Sequence, residues 1–376
     1  MKRKFPVRQA ILELAPYQPG KPIEEVAREL GLRDIVKMAS NENPLGPSPR
    51  ALEAIRQALP SIHLYPDGAG FHLKQKLAKR FDLGMDCFTL GNGSSDILSF
   101  ALWAFVKPGD EVLSAKTTFL MYPILAKIAH GTLVEVPLKN WCFDLEAMAK
   151  RINRKTRIVF LCNPNNPTGT IFHQRQWDAF LKKVPDHTVV VVDEAYMEFV
   201  DECEARPDFP NSIKDVRGGK NVVVLRTFSK IVGLAGLRIG YGVSTPQIAD
   251  WLNRVRPPFN TNTLAQVAAA AAMDDEGHIE RTKKLVLEGR EYLATQIDKC
   301  GLVRIPSSAN YIMIKVKTGG RSGCGTDGDE VYRRLLRKGI IVRSMKSFGM
   351  ADWIRVTIGT MEQNKRFIRE LKKILV

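Results

Sequence analysis

The stretch NVVVLRTFSKIVGLAGLRIGY, residues 221–241, decides how the rest of the chain is read. It opens as a continuous β-branched run, Val222 to Leu225, of the kind that suits a parallel strand covered on both faces. It then passes into hydroxyls, a lysine and glycines, with Arg238 eight residues beyond Lys230. In open α/β sheets ligands collect beyond the carboxyl ends of the strands, so the residues just after this run are the first candidates for chemistry.

Similar runs recur between helix-period segments: EVLSA (111–115), TLVEVPL (132–138), RIVFLC (157–162), TVVVVD (188–193) and RIGYGV (238–243). Amphipathic stretches such as SDILSFALWAFV (95–106) and HQRQWDAFLKKV (173–184) lie between them, so the order alternates β and α. The expectation is an α/β protein with a mostly parallel central sheet. Pro257 and Pro258 break the pattern. Two long helices then come, over 263–273 and 278–299, and a looser series of YIMIKV, a helix around EVYRRLLRKG, IIVR, WIRVTIG and a last helix from Glu362. This predicts a large domain over 46–257 and a smaller α+β domain from 1–45 and 258–376. TGGRSGCGTDGDE (318–330) reads as a surface loop.

Composition narrows the function classes. The balance of 56 Lys and Arg against 40 Asp and Glu gives +16, but the positive charges are scattered through helix-like segments and not interleaved with aromatics. A solvated basic surface, with no nucleic-acid partner, is the expectation. The six cysteines form no CxxC pair and the six histidines show no ligand spacing, so no metal is expected. No apolar run reaches the ~18 residues of a membrane span, and the N-terminus is unlike a signal peptide. The cytoplasm is the default location.

Three strand ends carry chemistry. RIVFLC runs into Asn163-Pro164-Asn165-Asn166-Pro167-Thr168-Gly169, TVVVVD ends in Asp193 before Glu194-Ala195-Tyr196, and NVVVLR ends in Thr227-Phe228-Ser229-Lys230. Singly these are a turn, a helix cap and a surface lysine. Together they place an amide, a carboxylate, a phenol and an amine at one sheet edge. Pyridoxal 5′-phosphate needs that set: a lysine to hold its aldehyde as a Schiff base, a carboxylate against its pyridine nitrogen, and donors to its phenolic oxygen. Lys230, Asp193, Asn166 and Tyr196 would supply these. Its phosphate would lie where GNGSSDIL (91–98) starts a helix, on Ser94 and Ser95 with free N–H groups, completed by Thr227, Ser229 and Arg238. Phe119 in KTTFLMY is the candidate to cover the ring.

The set resembles the fold type I, class I/II aminotransferases, and more closely the histidinol-phosphate aminotransferases. NENPLGPSP (41–49), YPDG (65–68), NPNNPTG, VDEAYMEF (192–199), TFSKIVGLAGLRIGY, RPPFNTNTLAQ (256–266) and IRVTIGT (354–360) carry the resemblance, from about residue 12 to about residue 360. It implies a homodimer with shared active sites, in which Tyr65 reaches the neighbouring subunit's cofactor phosphate. It implies that Arg355 binds the donor's carboxylate and the other substrate's phosphate, with Arg343 and Tyr17 assisting. The activity implied is ping-pong transfer of an amino group between histidinol phosphate and 2-oxoglutarate, giving imidazole acetol phosphate and glutamate, a step of histidine biosynthesis. An aromatic amino-acid aminotransferase and a threonine-phosphate decarboxylase of the same fold are alternatives. Thr117, Ser95-Asp96 and Ile231-Val232 depart from the family's usual residues without removing a cofactor contact.

Overall fold

The structure is a computed structural model describing residues 6–16, 20–201, 208–316 and 327–375. A short strand β1 (Val36–Lys37) precedes the seven strands of the main sheet: β2 (Phe88–Gly91), β3 (Glu111–Ala115), β4 (Thr132–Val136), β5 (Thr156–Cys162), β6 (Val189–Asp193), β7 (Val222–Thr227) and β8 (Gly240–Val243). Their spatial order is β2-β8-β7-β6-β5-β3-β4. All pairings are parallel except those of β8, which runs antiparallel to both β7 and β2.

The β-branched runs sit in the middle of this sheet because only there are both faces covered. Val190, Val191, Val223, Val224, Val159 and Phe160 are all fully buried. Helices cover the faces, among them Ser94–Phe105 and Gln174–Leu181, as the amphipathic segments predict. The sequence pattern does not announce β2, and RIGYGV runs opposite to the other strands. β2 is only four residues, FTLG, too short to show a pattern, and nothing in the residues of β8, GYGV, sets its direction.

The second body carries an antiparallel sheet, β12-β13-β10-β9, formed by β9 (Val303–Ile305), β10 (Tyr311–Lys315), β12 (Arg343–Ser344) and β13 (Trp353–Thr357). β11 (Ile340–Ile341) pairs in parallel with β1. The N-terminal chain therefore packs on the C-terminal part: Met38 N donates to Ile341 O, and Thr357 N donates to Met38 O. This lays residues 39–42 along the ends of the main-sheet strands.

Two packings cut across a boundary at residue 257. Helix Thr263–Ala272 lies against Pro49–Ala58 and Phe71–Phe81, and the N-terminal helix Gln9–Leu12 rests on Met121–Ile128, with Lys127 bridging to Glu13 at 2.6 Å. The alanines of TLAQVAAAAAM permit the close approach of the first pair. We propose the division at the turn before helix Glu276–Lys299, which packs on β9, β10 and the last helix, Met361–Leu375. Of the expected loop 318–330, residues 318–326 lie outside the described residues, and Gly328–Glu330 open the helix Gly328–Arg337.

Close approach at one sheet edge is what positions the site. Gly240 pairs with Thr227 on one side and Gly91 on the other, and a Cβ there would stand 2.5 Å from Ser94 N and 2.9 Å from Arg226 O. Backbone atoms on both flanks cannot yield. Gly240→Ala is expected to destabilise the fold by about 1–3 kcal/mol, the range for overpacking, measured by denaturant unfolding.

Candidate active site

A cavity of about 310 Å³ opens at the carboxyl edge of the main sheet, closed from above by residues 39–42 and by Arg343, Phe348 and Arg355. Lys230, Asp193, Tyr196, Asn166, Ser229, Thr227, Arg238, Ser94, Ser95, Phe119, Arg355 and Arg343 all line it. Candidates from separate stretches of sequence thus meet at one place.

Asp193 ends β6, where the last buried valine gives way to the cavity floor, and it is 4% exposed. Its Oδ1 accepts from Ala195 N at 3.1 Å and its Oδ2 from the Tyr122 hydroxyl at 3.3 Å. Burial pushes its carboxyl up to about 6, against the pull of those two hydrogen bonds. Glu194 points the other way, into an ion pair with Arg226 at 2.8 Å. Lys230 comes just after β7; its Nζ donates to Ser40 O at 3.1 Å and lies 5.6 Å from the Tyr196 ring centre. Burial, helped by the neighbouring Arg355 charge, lowers its ammonium to about 8.

The Asn/Pro turn divides its labour. Asn163 is consumed by Phe172, exchanging hydrogen bonds with its N–H and C=O at 3.0 and 3.1 Å, and Asn165 by Thr117, Thr118 and Thr168. Of the three asparagines, Asn166 lines the cavity. Its Nδ2 donates to Tyr196 Oη at 3.4 Å, and its Oδ1 accepts from Arg355 Nη1 at 2.5 Å.

At the other end lies an anion cup. Helix Ser94–Phe105 starts after Gly93, whose φ of +80° suits glycine, and a Cβ there would strike the Arg238 guanidinium. Arg238 itself adopts φ +56° as the chain turns back into β8. Thr227 Oγ1 and Ser229 Oγ lie 2.9 Å apart. Two helix-start serines, two further hydroxyls and a guanidinium are the donors an oxyanion needs.

The roof supplies two more guanidinium groups. Arg343 and Arg355 are direct partners across the antiparallel β12–β13 ladder. Arg355 is 6% exposed, its Nη2 donates to Ala39 O at 2.8 Å, and its Nε has no hydrogen-bond partner among the described residues. Tyr65 is not in this cavity: it is 83% exposed and stacks on Phe259, ring centres 4.8 Å apart. Tyr17 lies outside the described residues.

The family model for aminotransferase class I and II matches residues 33–371. The chain belongs to that family. Among its relatives, histidinol-phosphate aminotransferase from Moorella thermoacetica is 49% identical over 98% of this chain and 92% of its own, and histidinol-phosphate aminotransferase 1 from Nitrosococcus oceani is 48% identical over 96% and 95%. The crystal structure of histidinol-phosphate aminotransferase from Sinorhizobium meliloti in complex with pyridoxal-5′-phosphate matches with a TM-score of 0.88 at 27% identity, covering 100% of this chain and 98% of that one. The mostly parallel α/β fold expected from the strand runs is the fold of this aminotransferase family.

Two residues of this aminotransferase's site carry no role in the sequence analysis. Asn41 donates from Nδ2 to Tyr196 Oη at 3.1 Å and is itself held by Thr357. Tyr122, stacked on Phe160 (4.8 Å, 11°) and edge-on to Phe119, supports Asp193 through its hydroxyl. Each has a faint signal: NENPLGPSP is polar where β1 could have continued, and Tyr122 stands one helical turn past Phe119.

The buried charges set two expectations. An acid that titrates higher folded than unfolded weakens the fold as pH rises from about 4 to about 6. Asp193→Asn should therefore stabilise the ligand-free protein by about 3 kcal/mol at pH 8, and the gain should vanish at pH 4; an equal gain at both pH values would contradict this. An amine of about 8 is half neutral at pH 8, whereas a free lysine is about one part in three hundred neutral. Acylation of Lys230 in the ligand-free protein, tracked by peptide mass spectrometry, should rise through about pH 8, where a free lysine would respond only above about pH 10.

Proposed function

We propose that the chain transfers an amino group between histidinol phosphate and 2-oxoglutarate, yielding imidazole acetol phosphate and glutamate, with pyridoxal 5′-phosphate as its cofactor. The observation that carries this reading is the roof pair. Two like charges placed directly opposite on neighbouring strands destabilise a sheet. Here both line the cavity, and one is buried with an unpartnered Nε. Such a pair suits an oxyanion, and a guanidinium fork accepts a carboxylate or a phosphate alike. The names of relatives at 48% and 49% identity point to the same substrate.

The residues present fit the cofactor. Its phosphate finds Ser94, Ser95, Thr227, Ser229 and Arg238, and its ring would lie between Phe119 and the floor that Ala195 and Cys162 help to line. When bound, pyridoxal phosphate supplies a ring that draws off the electron pair left at the substrate's reacting carbon. Asp193 is the group to face the ring nitrogen: a carboxylate whose burial makes its own charge costly gains most from a cationic partner. Asn166, Tyr196 and Asn41 form the donor set on the opposite side. Lys230, half neutral at about pH 8, would take the proton from the substrate's Cα and pass it to the carbon that keeps the amino group. Arg355 orients the substrate's anionic group while it holds Asn166, so substrate binding and the donor set are mechanically joined.

We further place two copies in the working molecule. Ile62, Leu64, Tyr65 and Phe71 are exposed along one short segment, and the exposed Phe259 stacks on Tyr65. Contiguous apolar patches of this sort mark interfaces. Tyr65 would reach the phosphate cup of the neighbouring subunit.

Lys230→Ala should abolish transamination and leave a fold that still binds pyridoxal phosphate reversibly. Arg355→Lys should slow both half-reactions by about tenfold or more, because a point charge cannot replace the fork. Stopped-flow absorbance of each half-reaction decides the matter; loss confined to the glutamate half would refute the shared role of Arg355.

A further inference from the structure

The cavity's charges are lopsided. Arg238, Arg343 and Arg355 are cationic and Lys230 is half so at about pH 8, and among the described residues two acidic side chains line the same space: Asp193 on the floor and Glu42 under the roof. Asp193 is committed on the proposed reading to the cofactor's ring nitrogen, with Ala195 N and the Tyr122 hydroxyl already on its oxygens. Glu42 is not. Its Oε1 accepts from Lys37 Nζ at 2.7 Å, and Oε2 has no partner among the described residues. That ion pair is a poor reason for the residue by itself, because Glu42 is 40% exposed in it and pairs so open contribute little to stability.

Its position suggests another role. Ala39, Ser40, Asn41 and Glu42 are successive residues of one segment. Ala39 O receives Arg355, Ser40 O receives Lys230, and Asn41 reaches Tyr196 through its amide. Each therefore addresses a group already placed in the site, and Glu42 is the next along. A substrate with its phosphate on Arg343 and Arg355 and its amine at Lys230 has the imidazole left to place. Among the lining side chains Glu42 is the charged acceptor still open to it.

Resting on the proposed substrate, we propose that Glu42 is a specificity-determining residue: its carboxylate accepts a hydrogen bond from the imidazole N–H of the substrate, and it repels the side-chain carboxylate of glutamate. The imidazole is recognised best as the cation, so the share of binding owed to Glu42 is greatest at low pH and fades as the ring loses its proton near about pH 6.5, while the phosphate's second ionisation near about pH 6 acts the opposite way through Arg343 and Arg355.

The test uses the holoenzyme and single half-reactions, so that Kd for each substrate is read apart from the rate. Glu42→Gln keeps the shape and removes the charge. It should weaken histidinol phosphate by about tenfold below about pH 6 and by less at about pH 8, and leave glutamate binding unchanged or tighter. Lys37→Met removes the same ion pair while keeping the carboxylate, and should preserve the preference. Equal losses for both substrates in Glu42→Gln, or a Kd for histidinol phosphate below about pH 6 within about twofold of the unsubstituted protein, would overturn the assignment. If the unsubstituted protein exchanges amino groups with glutamate but not with histidinol phosphate, the substrate reading fails first and takes this inference with it.

Discussion

Everything in this site depends on holding a carboxylate and an amine, both buried, in one cavity without allowing them to neutralise each other. Desolvation drives both toward their uncharged forms, Asp193 upward and Lys230 downward. A direct ion pair would relieve that pressure and close the space a cofactor needs. The sheet prevents it. Asp193 is the last residue of β6 and sits level with Leu225 of β7, so the chain must run on through Thr227, Phe228 and Ser229 before it reaches Lys230. Each group is then tied to something else: Asp193 to Ala195 and Tyr122, Lys230 to Ser40. The unease of both groups is a feature of the ligand-free fold, which the proposed cofactor between them would relieve.

The reversed strand β8 is the second architectural requirement. Were it parallel to its neighbours, its first residues would begin at the far edge of the sheet. Running backwards, it starts where β7 and β2 end, which brings Arg238 over Gly93 and Gly240 against Ser94. One short connection between two antiparallel strands thus delivers Lys230, Ser229 and Arg238 to the same edge. The glycines on either side are the condition for so many backbone segments to converge there.

This division explains what is legible in the sequence. β6 and β7 announce themselves because burial on both faces demands unbroken apolar runs, and a polar residue at the end of such a run stands out. Lys230, Asp193 and Asn166 are found that way. β2, four residues long, leaves no comparable signal, and β8, legible as RIGYGV, gives none of its direction. Asn41 and Tyr122 are hidden for different reasons. Asn41 reaches Tyr196 across 155 residues from a segment without regular structure, and no local rule connects the two. Tyr122 is a wholly buried aromatic in an amphipathic helix, indistinguishable from core packing until Asp193 is seen beside its hydroxyl. Tyr65 is legible only by resemblance, because within one chain it stacks on Phe259 and looks outward. The prolines at 257 and 258 suggest a boundary, yet the alanine-rich helix beyond them fits closely against Pro49–Ala58, a neighbour far earlier in the chain.

With Arg355 as the proposed anion site, the hold that Asn166 and Ala39 exert on it has a consequence for which anions can enter. An arginine side chain normally surrenders about 2 kcal/mol of rotamer freedom when it is immobilised; here that loss is taken during folding, and the guanidinium waits in one orientation with Nε bare. Attraction by charge alone would admit chloride as readily as any oxyanion. A plane fixed in advance rewards oxygen atoms arriving along its own edge, so discrimination passes from the size of the charge to the shape of the ion that bears it.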